Sequence, residues 1–284
     1  MDYIEEMRAV IDEFPDRVLL GEVQSGVERI GQVYGNARPR FHFPRNFMLL
    51  DTQWDVASVA AGIDQYLNSI PDHAWPVWIL GSHDKPRIVS KLGLDQARVA
   101  AMLLFTLPRT PIFHPGDEIG KPNGEIAPDR VRDPFERLVP GWGLNRDPER
   151  TPRCWDAGEH AGFTTGEPWL PIGHLIEQCN VASQQPQALN AVALSPAHSP
   201  PVARAGAARR EFEPQRSQRD VLLFERRLDC QRLLVALNIG PREQTVWIRA
   251  KGEVQLSTHL DRRGEPVETE VRLRAAEGVI LRLG

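Results

Sequence analysis

The chain has few cysteines, no long apolar run and no basic stretch. Only three of its 284 residues are cysteine, at positions 154, 179 and 230, far apart and without paired spacing. That argues against both a disulfide framework and a zinc site. Nothing approaches the roughly 20 apolar residues of a membrane-spanning helix, so no membrane partner is expected. The formal net charge is −4, and without a cationic run nucleic acid is not an expected partner either. The N-terminus, M-D-Y-I-E-E-M, is acidic and unlike a signal peptide. The free cysteines read as cytoplasmic. No Cys/His cluster points to a metal, and no cofactor is expected.

What is present centres on Trp75–Arg87, W-P-V-W-I-L-G-S-H-D-K-P-R. Pro76 opens an uncharged apolar run, Val77-Trp78-Ile79-Leu80, of the kind buried on both faces in a parallel sheet. Gly81 ends it, and Ser82, His83 and Asp84 follow at the C-terminal end, where α/β proteins place their chemistry. Ser-His-Asp here is no hydrolase triad. Adjacent residues on an extended chain point to opposite faces and cannot align as nucleophile, base and orienter.

Around this stretch the pattern alternates. The spacing of Ile4, Met7, Val10 and Ile11 predicts a helix over 2–13, closed by Pro15 and Asp16. R-V-L-L-G at 17–21 reads as a short buried strand with Glu22 just past its end. Residues 34–46 read as a loop leading into a strand, F-H-F-P-R-N-F. Helices are expected over 54–69 and, capped by Asp95, over 94–107, with a strand at 110–113. Four alternations of strand and helix predict βα units around a parallel sheet. Residues 120–175 are irregular. From Val221 onward, short runs such as V-L-L-F-E-R, Q-T-V-W-I-R and G-V-I-L-R-L predict an antiparallel β-sandwich over 211–284.

Five motifs, in order, resemble the α-amylase family of glycoside hydrolases, in particular its α-glucosidase and oligo-1,6-glucosidase branch. They are L-L-G-E at 19–22, H-D at 83–84, T-P-I-F-H-P-G-D-E-I-G at 110–120, R-T-P-R-C-W-D at 150–156 and A-G-F-T-T-G-E-P-W-L-P at 161–171. The resemblance implies an α/β fold: a partial (β/α)8 barrel over 1–187, its second half of about four βα units, with the β-sandwich after it. It also implies a site at the strand C-termini. Glu22 matches the general acid/base, Asp84 the carboxylate that stabilises the transition state, and His83 a sugar-binding histidine. Arg87 belongs to the same substrate-side loop. The implied partner is an oligosaccharide with α-linked glucose. A retaining glycosidase pairs such an acid with a second, nucleophilic carboxylate about 5–5.5 Å away.

In the family that nucleophile lies in a G-F-R-x-D type of motif upstream of the G-E strand. Here only the 2–13 helix precedes Glu22, so the nucleophile is expected to be absent. Half a barrel leaves two sheet edges and an apolar interior face open, which predicts self-association or pairing with a complementary barrel half. The family pattern is also altered at Ser82, Arg109, His114-Pro115 and Arg153-Cys154. Residues 188–210, rich in Pro, Ala and Arg, interrupt it where the last barrel helix belongs, and their composition fits a shifted reading frame or a linker. Three readings follow: an α-glucosidase-like enzyme when the missing half is supplied, a catalytically inactive truncated homologue with weak sugar binding, or an unrelated α/β domain.

Overall fold

The computed structural model describes residues 2–35, 38–184, 212–228 and 231–284. The segment 188–210 therefore lies outside the described residues. Four short strands come first, β1 (Leu20–Glu22), β2 (Phe43–Arg45), β3 (Val77–Ile79) and β4 (Thr110–Ile112), with β1–β2 and β3–β4 paired in parallel and β2 beside β3. Helices come between and around them: α1 (Asp2–Asp12), α2 (Val27–Tyr34), α3 (Met48–Asp51), α4 (Val56–Ser69), α5 (Ile88–Leu92) and α6 (Leu94–Thr106). Strand order equals chain order. The arc is the second half of a (β/α)8 barrel.

Local chemistry accounts for most of these elements. Asp55 caps α4, its carboxylate accepting from the Ser58 N–H at 2.9 Å, which satisfies an N–H that the first turn leaves over. The expected cap at Asp95 is not formed. Gly93, with φ +79°, precedes α6, and Asp95 sits inside the first turn, 3.3 Å from Arg98. Helix α2 was not legible as a helix; its buried face, Ile30, Val33 and Tyr34, is only three residues wide. The strand expected at 17–21 forms later and is half exposed at Val18 and Leu20, because no described strand flanks its outer side.

Strand β3 is buried on both faces, as its composition requires. Val77 and Ile79 pack with Phe43, Phe47, Leu50 and Ile112, whereas Trp78 and Leu80 join the helices. Trp78 meets Tyr66 edge-on at 4.9 Å and donates its indole N–H to the Pro108 carbonyl at 2.7 Å. The expected open interior face is covered at β3, where Val77 and Ile79 are fully buried beneath Phe43, Phe47 and helix α3, and is half open at Leu20, the register partner of Phe43. Among the described residues no further strand pairs with the outer side of β1 or β4.

After β4 come α7 (Pro134–Leu138), α8 (Val181–Gln184) and several single 3-10 turns. The C-terminal part holds β5 (Phe212–Pro214), β6 (Val221–Leu228), β7 (Gln231–Asn238), β8 (Gln244–Trp247), β9 (Gly252–Ser257), β10 (Pro266–Val267), β11 (Glu270–Leu273) and β12 (Gly278–Leu283). Six of these form an antiparallel sheet in the order β10-β9-β12-β7-β6-β5, facing the β8–β11 pair. Strands β6, β7 and β12 read as continuous apolar runs because both faces are covered. Val221, Leu223, Ala236 and Val279 face β8 and β11, while Leu222, Phe224, Val235 and Ile280 share one core with α4 and α6.

Candidate active site

The C-terminal ends of β1 and β3 carry the acidic residues. Glu22 is the last residue of β1 and lies in register with Arg45, the last of β2. Their side chains meet as an ion pair, Arg45 Nη1 to Glu22 Oε2 at 2.6 Å. Parallel register sets both side chains at the same level of the rim. The Glu22 side chain is 43% exposed, open to a ligand above the strand ends.

Asp84 follows β3 and is held from three sides. Arg150 Nη2 donates to its Oδ1 at 2.7 Å, Arg146 Nη1 to the same oxygen at 3.0 Å, and His83 Nε2 lies 3.3 Å from Oδ2. Burial pushes this carboxyl up, but the Arg150 hydrogen bond, the His83 charge and Arg146 outweigh it and leave it below the ordinary range. Arg146 is in turn gripped by the buried Asp133, and Arg150 Nε donates to the His83 carbonyl at 2.9 Å. A carboxylate fixed this way is a permanent anion at the rim, of the sort that eases developing positive charge. Ser82 is buried and its hydroxyl accepts the Asp84 N–H at 3.3 Å, so the three consecutive residues form no triad.

Arg87 turns away from this rim. It is 2% exposed, and its Nη1 donates to Asp117 Oδ1 at 3.1 Å and to the Pro115 carbonyl at 2.9 Å. Burial pushes Asp117 up to about 6, against the pull of Arg87 and with the help of Glu118. The expectation that Arg87 reaches substrate is therefore replaced by a positioning role: it pins the loop after β4 to the loop after β3. Two glycines make this contact possible. A methyl on Gly81 would collide with the Asp117 carboxylate, and Gly116, at φ +102°, lets the loop pass under Arg87; positive φ favours glycine.

The later motifs close on the same place. Arg153 Nε donates to Glu118 at 2.6 Å and its guanidinium covers the Trp155 ring at 4.2 Å. Glu149 is buried and its carbonyl meets His114 Nε2 at 3.1 Å. Lys121 is fully buried beneath them and donates to Thr151 Oγ1 at 2.8 Å; burial pushes its ammonium down to about 8. Arg45, Arg146 and Asp133 were not found from sequence. The Arg-rich run 146–153 was the available signal; for Arg45 only strand register could reveal it. Among the described residues no group of three His, Cys, Asp or Glu side chains is set to hold a metal ion, and Cys154 and Cys179 are buried free thiols.

A parallel barrel arc with acidic side chains at its strand C-termini is the arrangement of a (β/α)8 glycoside hydrolase. The chain belongs to the α-amylase family: the family model for the alpha amylase catalytic domain matches residues 1–194. It is 29% identical over 267 residues to the salivary alpha-glucosidase of Anopheles gambiae, covering 86% of this chain and 44% of that one. It is 31% identical over 253 residues to the human amino acid transporter heavy chain SLC3A1, covering 84% and 35%. The chain thus spans less than half the length of these curated relatives. The alpha-glucosyl transfer enzyme XgtA superposes on all of this chain and 54% of its own with a TM-score of 0.84 at 24% identity, a likeness of fold.

Proposed function

We propose that this chain supplies the acid/base side of an α-glucosidase-type site, acting on α-glucosidic bonds of short oligosaccharides once a nucleophilic carboxylate is contributed by further polypeptide. The observation that carries this reading is the placement of Glu22 and Asp84 at the ends of β1 and β3, in the family's order. Glu22 protonates the leaving oxygen and later activates water, whereas Asp84 offsets the charge of the oxocarbenium-like sugar. His83, 45% exposed beside Asp84, donates to a sugar hydroxyl. Arg146 and Arg150 hold Asp84 in place. The test is hydrolysis of 4-nitrophenyl α-glucoside, with Glu22→Gln as control: activity that survives that change removes Glu22 from the role.

A second reading is an inactive homologue that binds sugar weakly. The Arg45–Glu22 ion pair favours it, because a carboxylate engaged by a guanidinium at 2.6 Å has to be released before it can serve a leaving group. One relative, too, bears the name of a transporter heavy chain. Measurable glucose binding without any turnover would select this reading.

A further inference from the structure

We propose that His42 is a pH-sensitive latch on β1, the strand that carries Glu22, closed while its imidazole is neutral and opened when the ring gains a second proton. The latch belongs to the strand pair and holds whatever the site does to sugar. Its geometry dictates the protonation state. The Leu19 N–H donates to His42 Nδ1 at 2.9 Å. A backbone amide can only donate, so Nδ1 is the acceptor and the ring proton sits on Nε2. A second proton occupies Nδ1 and sets two N–H groups against each other. That bond is then lost.

Leu19 is the residue at which β1 is tied down. Its carbonyl accepts the His42 N–H at 3.0 Å and the Phe43 N–H at 3.2 Å, so His42 holds both polar groups of one backbone unit. Beyond this point the ladder is three pairs long, Leu20–Phe43, Gly21–Pro44 and Glu22–Arg45. Pro44, in the middle, has no N–H to donate. A ladder this short depends on its entry, and Glu22 ends the same strand.

The charges around the ring keep it neutral at neutral pH. His42 Nε2 lies 3.5 Å from Asp12 Oδ1 on α1, an anion that favours the imidazolium. Arg8, on the same helix, already engages both Asp12 oxygens at 2.8 and 2.9 Å and brings its own positive charge. Arg40 is bound to Glu5 of α1, and Arg17, ahead of β1, turns back to the Pro15 and Asp16 carbonyls. Burial and the Arg8 charge outweigh Asp12 and hold the imidazole below its ordinary 6.5. Below that value the unfolded chain binds a proton that the folded ring refuses. The latch therefore contributes its full stability above pH 6.5, and loses it as pH falls from there through the lowered pKa.

The test is hydrogen exchange at the Leu19 amide of the full chain, followed by NMR with isotope-labelled leucine and expressed as protection relative to an unstructured peptide. Two variants stand beside the parent. His42→Asn puts an oxygen acceptor where Nδ1 stands and does not titrate, whereas His42→Gln moves the amide one bond outward and leaves that place without an acceptor. From about pH 7.5 to about pH 5 the parent is expected to lose protection about tenfold, as a local opening. His42→Asn is expected to hold within about twofold, and His42→Gln to be poorly protected at both ends of that range. The ring nitrogens of His42 in the parent decide the matter even if His42→Gln fails to fold. An Nε2–H tautomer at neutral pH, doubly protonated as Leu19 loses protection, is expected. An unprotected Leu19 amide at neutral pH, an Nδ1–H tautomer, protection that does not change with pH, or a fall that His42→Asn shares with the parent overturns the proposal.

Discussion

Asp133 grips Arg146 at two points, with Arg146 Nε on Oδ2 at 2.8 Å and Nη2 on Oδ1 at 3.0 Å. The Asp133 side chain is fully buried, and the same arginine reaches Asp84. A loop carboxylate far along the chain therefore fixes the candidate transition-state stabiliser at the end of β3. The bidentate fork needs a planar guanidinium.

Arg146→Ala is accordingly expected to cost about 3 kcal/mol of stability, since it leaves a buried carboxylate without its partner. Arg146→Lys, which cannot fork, is expected to recover only part of the loss. Urea unfolding curves of the three proteins give the comparison.

Lys121 supplies a pH signature. Its ammonium is fully buried and its pKa falls from 10.5 to about 8. Between those values the unfolded chain holds a proton that the folded chain has lost, so stability rises with pH across that window and the penalty is complete below pH 8. The ceiling is about 3 kcal/mol. Lys121→Met is expected to remove this component, seen as a flatter difference in unfolding midpoint between pH 8 and 10.

Gly81→Ala tests the loop contact. The added methyl meets the Asp117 carboxylate and lies 3.0 Å from His114 Cβ, so the Arg87–Asp117 pair has to move. A loss of about 1–3 kcal/mol is expected, as for overpacking a tight site. Thermal unfolding of Gly81→Ala beside Asp117→Asn shows whether the two changes report on one contact: non-additive losses in the double variant are the expected result.

Glu22→Gln is expected to change stability by less than about 0.5 kcal/mol, because the Glu22 carboxylate is 43% exposed, an amide there can still accept from Arg45, and solvent-exposed pairs contribute little. The melting temperature of the variant checks this. An unchanged melting temperature lets any loss of hydrolysis be read as chemistry.

The sequence determined the strand-and-helix alternation, the doubly buried run Val77–Leu80 and the antiparallel C-terminal part, because hydrophobic periodicity is local and survives without neighbours. It also set Glu22 at the end of one strand and His83 and Asp84 after the end of another, positions that local pattern marks. Helix α2 escaped notice because three buried residues leave too thin a stripe. Only the tertiary structure decided that Arg87 serves Asp117 instead of the rim, that Arg45 lies against Glu22, and that Arg146 and Arg150 converge on Asp84 from more than 60 residues away. Those pairings depend on strand register and loop path. Arginine looks the same in sequence whether it faces solvent, a buried aspartate or a ligand, and only the fold sets which carboxylate comes within reach of its guanidinium.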